Sequence, residues 1–239
     1  MTVHQQIEYW LNAHKIANKS AQRPFVTLSY AQSWDGSITT RSGATLALSG
    51  TEATRLTHHL RSLHDGILVG IGTVLTDDPQ LTVRDWPGAN PQAIVLDSQL
   101  RMPPTARLCQ HADKSCWILT CVNEGPAYGS HVEVITLARD AEARVNLSEA
   151  LAVLWDKGIK MLMVEGGSEV ITAFLKAQLA DALVLTIAPT LVGGYKGVGH
   201  LGINSKSHMP QIRQLHTQML GDDVIMWGNL HFHQQLAPC

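Results

Sequence analysis

Arg61 and Arg84 bracket a short apolar run, Gly66-Ile67-Leu68-Val69-Gly70, and a polar turn after it that carries Thr73, Asp77 and Asp78. Guanidinium groups grip phosphate through charge-assisted, often bidentate hydrogen bonds, so a pair of them around one strand end suits an anionic ligand. A second chemical element follows the apolar run Met161-Leu162-Met163-Val164. That run passes directly into Glu165-Gly166-Gly167-Ser168 and then into a helical stripe of Val170, Ile171, Phe174 and Leu175. A strand, two glycines and a helix start offer free backbone N–H groups and the positive end of a helix dipole, which favour an anion such as a pyrophosphate. Glu165 closes an apolar strand, where an unpaired carboxylate is costly unless N–H donors meet it; an amide- and amine-rich heterocycle would supply them. Gly70-x-Gly72 falls short of the full dinucleotide fingerprint, so the anion reading rests on the arginines and on the Gly166-Gly167 turn. The combination indicates a site shared by a phosphorylated small molecule and a dinucleotide.

Other polar positions have two readings each. Asp35, in Ser33-Trp34-Asp35-Gly36-Ser37, is either a turn residue or a polar group beside the reacting atoms. Arg61 lies off the apolar stripe of its helix and is either a solvated surface residue or a ligand. Asp97-Ser98 ends a strand, where a ribose would sit, and Arg101 beyond it meets either a 2′-phosphate or solvent. Arg41-Ser42-Gly43-Ala44-Thr45 is a small-residue loop that lets backbone approach a ligand. Gly193-Gly194-Tyr195-Lys196-Gly197 is a flexible loop expected at the site mouth. The 12 histidines form no metal motif. His58 and His59 diverge on a helix, and His231 and His233 lack a third ligand, so no metal is expected.

The elements that must position these groups follow from periodicity. Apolar runs without alternation are buried on both faces, as in a mostly parallel α/β sheet whose ligands lie past the carboxyl ends of the strands. Such runs occur at residues 66–70, 93–96 and 161–164; further strands are expected at 25–30, 117–120, 132–136 and 182–188, and a terminal hairpin spans 212–227. Helical spacing marks residues 3–18. A further helix is expected to start at an S-x-x-E capping box of Ser49 and Glu52 and to bury Ala53, Leu56, Leu60 and Leu63. Asn146 and Glu149 cap another, stopped by Gly158.

With 239 residues, 45% apolar and 16% charged, the chain can bury one large α/β domain, residues 23–239, behind an N-terminal helical extension, residues 1–22. A balance of 18 basic and 20 acidic residues implies no extended basic surface, and no nucleic-acid partner is expected. Cys109, Cys116, Cys121 and Cys239 lack CxxC spacing and suit reduced thiols in a cytoplasmic protein. No signal peptide and no apolar run near the ~20 residues of a membrane span are present.

Several segments in order carry a family resemblance: Arg23-Pro24-Phe25-Val26-Thr27-Leu28, Ser33-Trp34-Asp35-Gly36, residues 65–75, residues 77–84, Leu96-Asp97-Ser98, Val164-Glu165-Gly166-Gly167 and residues 188–194. Over roughly residues 23–230 the chain resembles the pyrimidine reductases of riboflavin biosynthesis, the stand-alone form of the RibD C-terminal reductase domain. The resemblance implies a dihydrofolate-reductase-like three-layer α/β fold, with a central, mostly parallel (mixed) sheet flanked by helices. It implies a homodimer and NADPH-dependent reduction of a phosphoribosylamino pyrimidine, in its diamino or its deaminated form, to the ribitylamino product. Carried over by position, it makes Thr45, Arg61, Leu81, Arg84 and Glu165 substrate contacts. Ala31, Ala47, Thr73, Asp77, Ser98 and the turn of Gly167, Ser168, Glu169 and Val170 become cofactor contacts. Asp35 is the nearest candidate for polar assistance to catalysis. Many relatives have a tryptophan where Ala47 stands and a lysine where Ser29 stands, so a stacking contact with the cofactor is absent or rebuilt here, and Ser29 cannot act as a cation near the sugar. The residues before the reductase region are too few, and lack the Cys and His ligands, for the zinc deaminase of the bifunctional relatives. The rival readings are a dihydrofolate or other pterin reductase on the same fold and a non-catalytic NADPH-binding sensor.

Overall fold

The computed structural model describes residues 1–18, 21–43, 46–110 and 115–233. After α1 (Val3–Ala17) come β1 (Phe25–Ser33), β2 (Ser37–Thr39), α2 (Thr51–Ser62), β3 (Gly66–Gly70) and α3 (Ile71–Asp77). β4 (Gln92–Leu96), β5 (Cys116–Thr120), β6 (Val132–Thr136), α4 (Leu147–Asp156), β7 (Met161–Val164) and α5 (Ser168–Lys176) follow. The chain then forms β8 (Ala182–Ala188), β9 (Tyr195–Lys196), β10 (Gln211–Leu220) and β11 (Asp223–His231).

One nine-stranded sheet has the order β10-β11-β8-β1-β7-β3-β4-β5-β6. From β8 to β6 every neighbouring pair is parallel, and β11 and β10 join antiparallel at one edge. This is the mostly parallel mixed sheet expected from the unalternated apolar runs. Its physical basis is burial on both faces: β3 and β7 are buried at every position. Within β7, Leu162 and Val164 pack with Ile171, Phe174 and Leu154 on the α4–α5 side, while Met161 and Met163 pack with Ile7, Leu11 and Leu56 on the α1–α2 side. The alternation of strand side chains thus builds a core on each face and gives the three layers. Helix α1 belongs to that packing, because Val3, Ile7 and Leu11 are buried in the same cluster as the strands.

Three local expectations change. Helix α2 starts at Gly50 with no side-chain cap, so Ser49 and Glu52 do not form the expected capping box. Asp223 of the terminal hairpin accepts the Gly50 amide at 2.8 Å, and a tertiary contact replaces the local cap. The polar turn expected after β3 is largely the seven-residue helix α3, with Asp78 as its left-handed C-cap at φ 40°. Tyr195–Lys196 is not an open loop but a short strand paired to β2.

His64 joins α2 to β1 and makes the fold acid-sensitive. It is buried; Nδ1 lies 2.7 Å from the Leu60 carbonyl and Nε2 2.9 Å from the Thr27 hydroxyl, which suits a neutral ring that donates at Nδ1 and accepts at Nε2. Burial pushes its pKa down to about 4. Above about pH 6.5 the ring is neutral in both folded and unfolded chains, and the unfolded chain alone takes up the proton as pH falls. Stability is therefore expected to fall by roughly 3 kcal/mol across that window. Urea midpoints measured from pH 7.5 to pH 4 check this, and His64→Gln should flatten the profile.

Candidate functional site

All the parallel strands present their carboxyl ends on one side of the sheet, so residues far apart in sequence converge there. In the sheet centre, β1 carries Ala31 near its end, β7 leads into Glu165, β3 into Gly70 and Thr73, and β4 into Asp97 and Ser98. A cavity of about 450 Å³ opens beside this line, with Arg61, Arg84 and Arg107, Asp77 and Asp78, and the Pro79–Leu81 segment around it. That volume is in the range of small-ligand sites.

Arg61 reaches from the last turn of α2 to Glu165 at the end of β7. Its Nε lies 2.8 Å from Oε1 and its Nη2 2.7 Å from Oε2, while Nη1 donates to the Thr82 carbonyl at 3.0 Å. The two side chains are 12% and 16% exposed, so the pair is nearly desolvated. Burial works against the Arg61 charge, but the Glu165 carboxylate outweighs it and raises the guanidinium pKa. Such a bidentate pair is what a carboxylate at the end of a buried strand requires. Arg61 thus gives one N–H to each Glu165 oxygen, and both oxygens keep a lone pair for further donors. The surface reading of Arg61 does not survive; three of its five N–H groups are engaged, and it still lines the cavity.

Thr82 links the second arginine to the first. Its carbonyl accepts from Arg61, and its hydroxyl accepts from Arg84 Nη1 at 3.0 Å; Gln80 Oε1 lies 3.3 Å from the same nitrogen. Buried His58 places Nδ1 2.9 Å from the Thr82 carbonyl. Burial, then the charges of Arg61 and Arg84, push the His58 pKa down, so a neutral ring backs the two cations. Leu81, 3% exposed, adopts φ 52°, a left-handed conformation that costs a non-glycine residue energy. It is held there by packing among Val69, Val95 and Leu108.

The Gly166-Gly167 turn forms as expected. Gly167 is the N-cap of α5 and no side chain caps the helix, so its first amides remain open to a ligand. A Cβ on Gly166 would meet the Val170 Cβ at 2.5 Å, and one on Gly70 would meet Val170 Cγ2 at 2.7 Å. The glycines let α5 settle against the end of β3, and a Cβ at Gly167 would lie 3.9 Å from Thr73 Oγ1. Thr73, Gly167, Ser168, Glu169 and Val170 are thereby brought into one neighbourhood.

Other expected positions also make contacts within the protein. The Asp35 carboxylate accepts from Ser33 Oγ at 2.5 Å, Ser37 Oγ at 2.8 Å and the Val192 and Gly193 amides at 3.0 Å, with Lys196 Nζ at 3.3 Å. These donors, the Ser33 hydroxyl first, hold its carboxyl far below the usual range. These contacts make Asp35 a clamp on the 191–196 segment, and its ionised carboxylate has no proton to deliver. Ser98 Oγ accepts the Val145 amide at 3.0 Å, and fully buried Asp97 accepts the Met102 amide at 2.7 Å. Asp97 therefore shapes the turn after β4. Ala47 and Arg101 are exposed, and Thr45 lies outside the described residues. Arg107 was not identified from sequence. It sits in an irregular stretch without periodicity, and reaches the cavity because its amide donates to Asp78 Oδ1 at 2.8 Å.

Comparison with known proteins follows the same lines. Residues 24–226 match the model of the RibD C-terminal domain. The chain is 36% identical over 216 residues to the 2,5-diamino-6-ribosylamino-4(3H)-pyrimidinone 5′-phosphate reductase of Methanothermobacter thermautotrophicus, covering 85% of this chain and 97% of that one. It is 33% identical over 210 residues to the riboflavin biosynthesis protein RibD of Aquifex aeolicus, covering 86% of this chain but only 58% of that longer protein. The structure of the riboflavin biosynthesis reductase Rib7 of Saccharomyces cerevisiae superposes with a TM-score of 0.76 at 26% identity, covering 94% of this chain and 99% of that one.

Proposed function

Since the chain belongs to the RibD C-terminal domain family, we propose that it is an NADPH-dependent reductase of riboflavin biosynthesis. Its substrate in this reading is 2,5-diamino-6-(5-phosphoribosylamino)pyrimidinone or the deaminated 5-amino-6-(5-phosphoribosylamino)uracil, whose ribosyl group becomes ribityl. The observation that carries the reading is the junction of two arrangements suited to anions at the carboxyl ends of the central strands: the uncapped start of α5 beside Thr73, and the arginine-lined cavity beside it. The Methanothermobacter relative, a 2,5-diamino-6-ribosylamino-4(3H)-pyrimidinone 5′-phosphate reductase, supports the diamino form.

The residues present fit the dinucleotide. Open amides at Gly167 and Ser168 and the α5 dipole suit its pyrophosphate. Thr73 and Asp77 on α3, Ser98 after β4, and Ala31 and Ala47 are the remaining proposed cofactor contacts. When bound, NADPH supplies a hydride to C1′ of the opened sugar. The protein's part is positioning: Arg84 holds the phosphate end, Leu81 closes the cavity wall and Glu165, locked by Arg61, presents fixed carboxylate oxygens to the pyrimidine. Thr45 completes the proposed substrate contacts. Near-attack geometry of this kind can contribute about 7–11 kcal/mol in favourable cases, so no strong acid is required of Asp35 or Ser29. A pterin, having no phosphate, would leave Arg84 without a role.

Gly166→Ala is expected to push the first turn of α5 off the end of β3, because the added methyl meets Val170. NADPH affinity, read by fluorescence titration, should fall about tenfold or more, the loss of one charge-assisted contact. The outer edge of β10 leaves backbone groups open and exposes Ile212, Leu215 and Met219, which supports a homodimer built across that edge. Leu215→Glu should give monomers in sedimentation. Free Cys109, Cys116 and Cys121 support a cytoplasmic location, and no helix among the described residues is long and apolar enough to cross a membrane. The reaction itself is tested by loss of NADPH absorbance with each pyrimidine. Turnover with one or both is expected, and none with either would overturn the reading.

A further inference from the structure

Arg61 is neutralised by Glu165, yet two other guanidinium groups border the same cavity with no ion pair among the described residues. Arg84 bonds only the neutral acceptors Gln80 and Thr82. The Arg107 side chain is exposed and makes no hydrogen bond or ion pair among the described residues. Its backbone, by contrast, is anchored. Arg107 opens a single helical turn, Arg107–Cys109, whose Leu108 and Cys109 are buried in the same cluster as Leu81. Its amide is tied to Asp78, the left-handed residue that ends α3. A rigid base with a free cationic tip at a cavity mouth is the form of a ligand-binding arginine, since the fixed backbone lowers the entropy lost on binding.

We propose that Arg107 is a substrate-binding residue that closes with Arg84 on the phosphate of the sugar-phosphate substrate, and that Asp78 is the residue that positions it. The proposal rests on the sugar-phosphate reading of the cavity. A phosphate dianion needs more than one cation there, because the Arg61 charge is cancelled before substrate arrives and Asp77 and Asp78 add negative charge to the wall. One Asp78 oxygen is turned to the Arg107 amide, so that carboxylate spends part of its field on the protein's own backbone. Arginine, with its planar fork, can share two phosphate oxygens, which lysine cannot do in the same geometry.

The test compares wild type with Arg107→Ala, Arg107→Lys and Asp78→Ala in steady-state kinetics, and measures ribose 5-phosphate and ribose binding by calorimetry. Arg107→Ala is expected to raise KM for the phosphorylated pyrimidine about tenfold or more with kcat within about twofold, the signature of lost binding that is equal in ground and transition states. Arg107→Lys should recover part of the loss. Asp78→Ala should raise KM in the same sense, and its effect should shrink when Arg107 is already alanine. Ribose 5-phosphate affinity should fall with Arg107→Ala while ribose affinity stays unchanged. An unchanged KM together with unchanged ribose 5-phosphate affinity would overturn the clamp while leaving the reductase standing. Should wild type turn over neither pyrimidine, the calorimetric comparison alone decides: loss of ribose 5-phosphate binding in Arg107→Ala upholds the clamp, and equal binding refutes it.

Discussion

Glu165→Ala should lower both stability and activity more than any other single substitution in the site. It leaves the Arg61 guanidinium, with its side chain only 12% exposed, without its carboxylate partner. Removing one member of a buried pair costs about 3–5 kcal/mol, chiefly because the remaining charge is left desolvated. In a chain of this size that corresponds to a fall of roughly 10 °C in Tm. Removing both charges separates the structural effect from the functional one. An Arg61→Met, Glu165→Leu double variant should recover much of the stability, since the desolvated charge is gone, but not kcat/KM, since the carboxylate proposed to meet the pyrimidine is gone too. Thermal melts and initial rates on the three proteins provide the check. A double variant less stable than Glu165→Ala would show that the pair is not a compensated burial.

The second large effect is expected at Arg84. Its guanidinium rests on Thr82 and Gln80 and is not spent on an acid, so it can meet a phosphate at full charge. A hydrogen bond to a charged group contributes about 1.5–3 kcal/mol, so Arg84→Ala should raise KM for the phosphorylated substrate by roughly ten- to hundredfold. Reaction of the dephosphorylated nucleoside should be indifferent to the change. Salt should weaken wild-type binding more than that of the variant, because the contact is partly exposed and screened. Equal KM in wild type and variant would remove the phosphate from this end of the cavity.

These effects also mark what the sequence could reveal. The unalternated runs of β3 and β7 disclosed a sheet buried on both faces, and the Gly166-Gly167 turn disclosed an uncapped helix start, because both are local consequences of residue type and spacing. The chemistry around Arg61 was only half legible. Its departure from the α2 apolar stripe left it ambiguous, and the partner that resolves it lies across the sheet on β7. The expected Ser49–Glu52 cap failed for the same reason: a tertiary acceptor, Asp223, outcompeted a local one. Asp35 sits in a turn as read, but the amides of Val192 and Gly193 that saturate it come from the far side of the chain. Arg107 carried no periodic signal at all. Its relevance depends on Asp78 ending α3 in a left-handed conformation and accepting its amide, which no spacing rule encodes.

The central claim is hydride delivery to the sugar of a phosphoribosylamino pyrimidine at the carboxyl ends of the central strands β1, β7, β3 and β4. The most direct measurement incubates the chain with NADPH deuterated at C4 of the nicotinamide and with each pyrimidine, then locates the label by mass spectrometry and NMR. The account predicts a ribitylamino product that carries deuterium at C1′. Cofactor bound with no label in any pyrimidine, or label placed on the ring in place of the sugar, would contradict it.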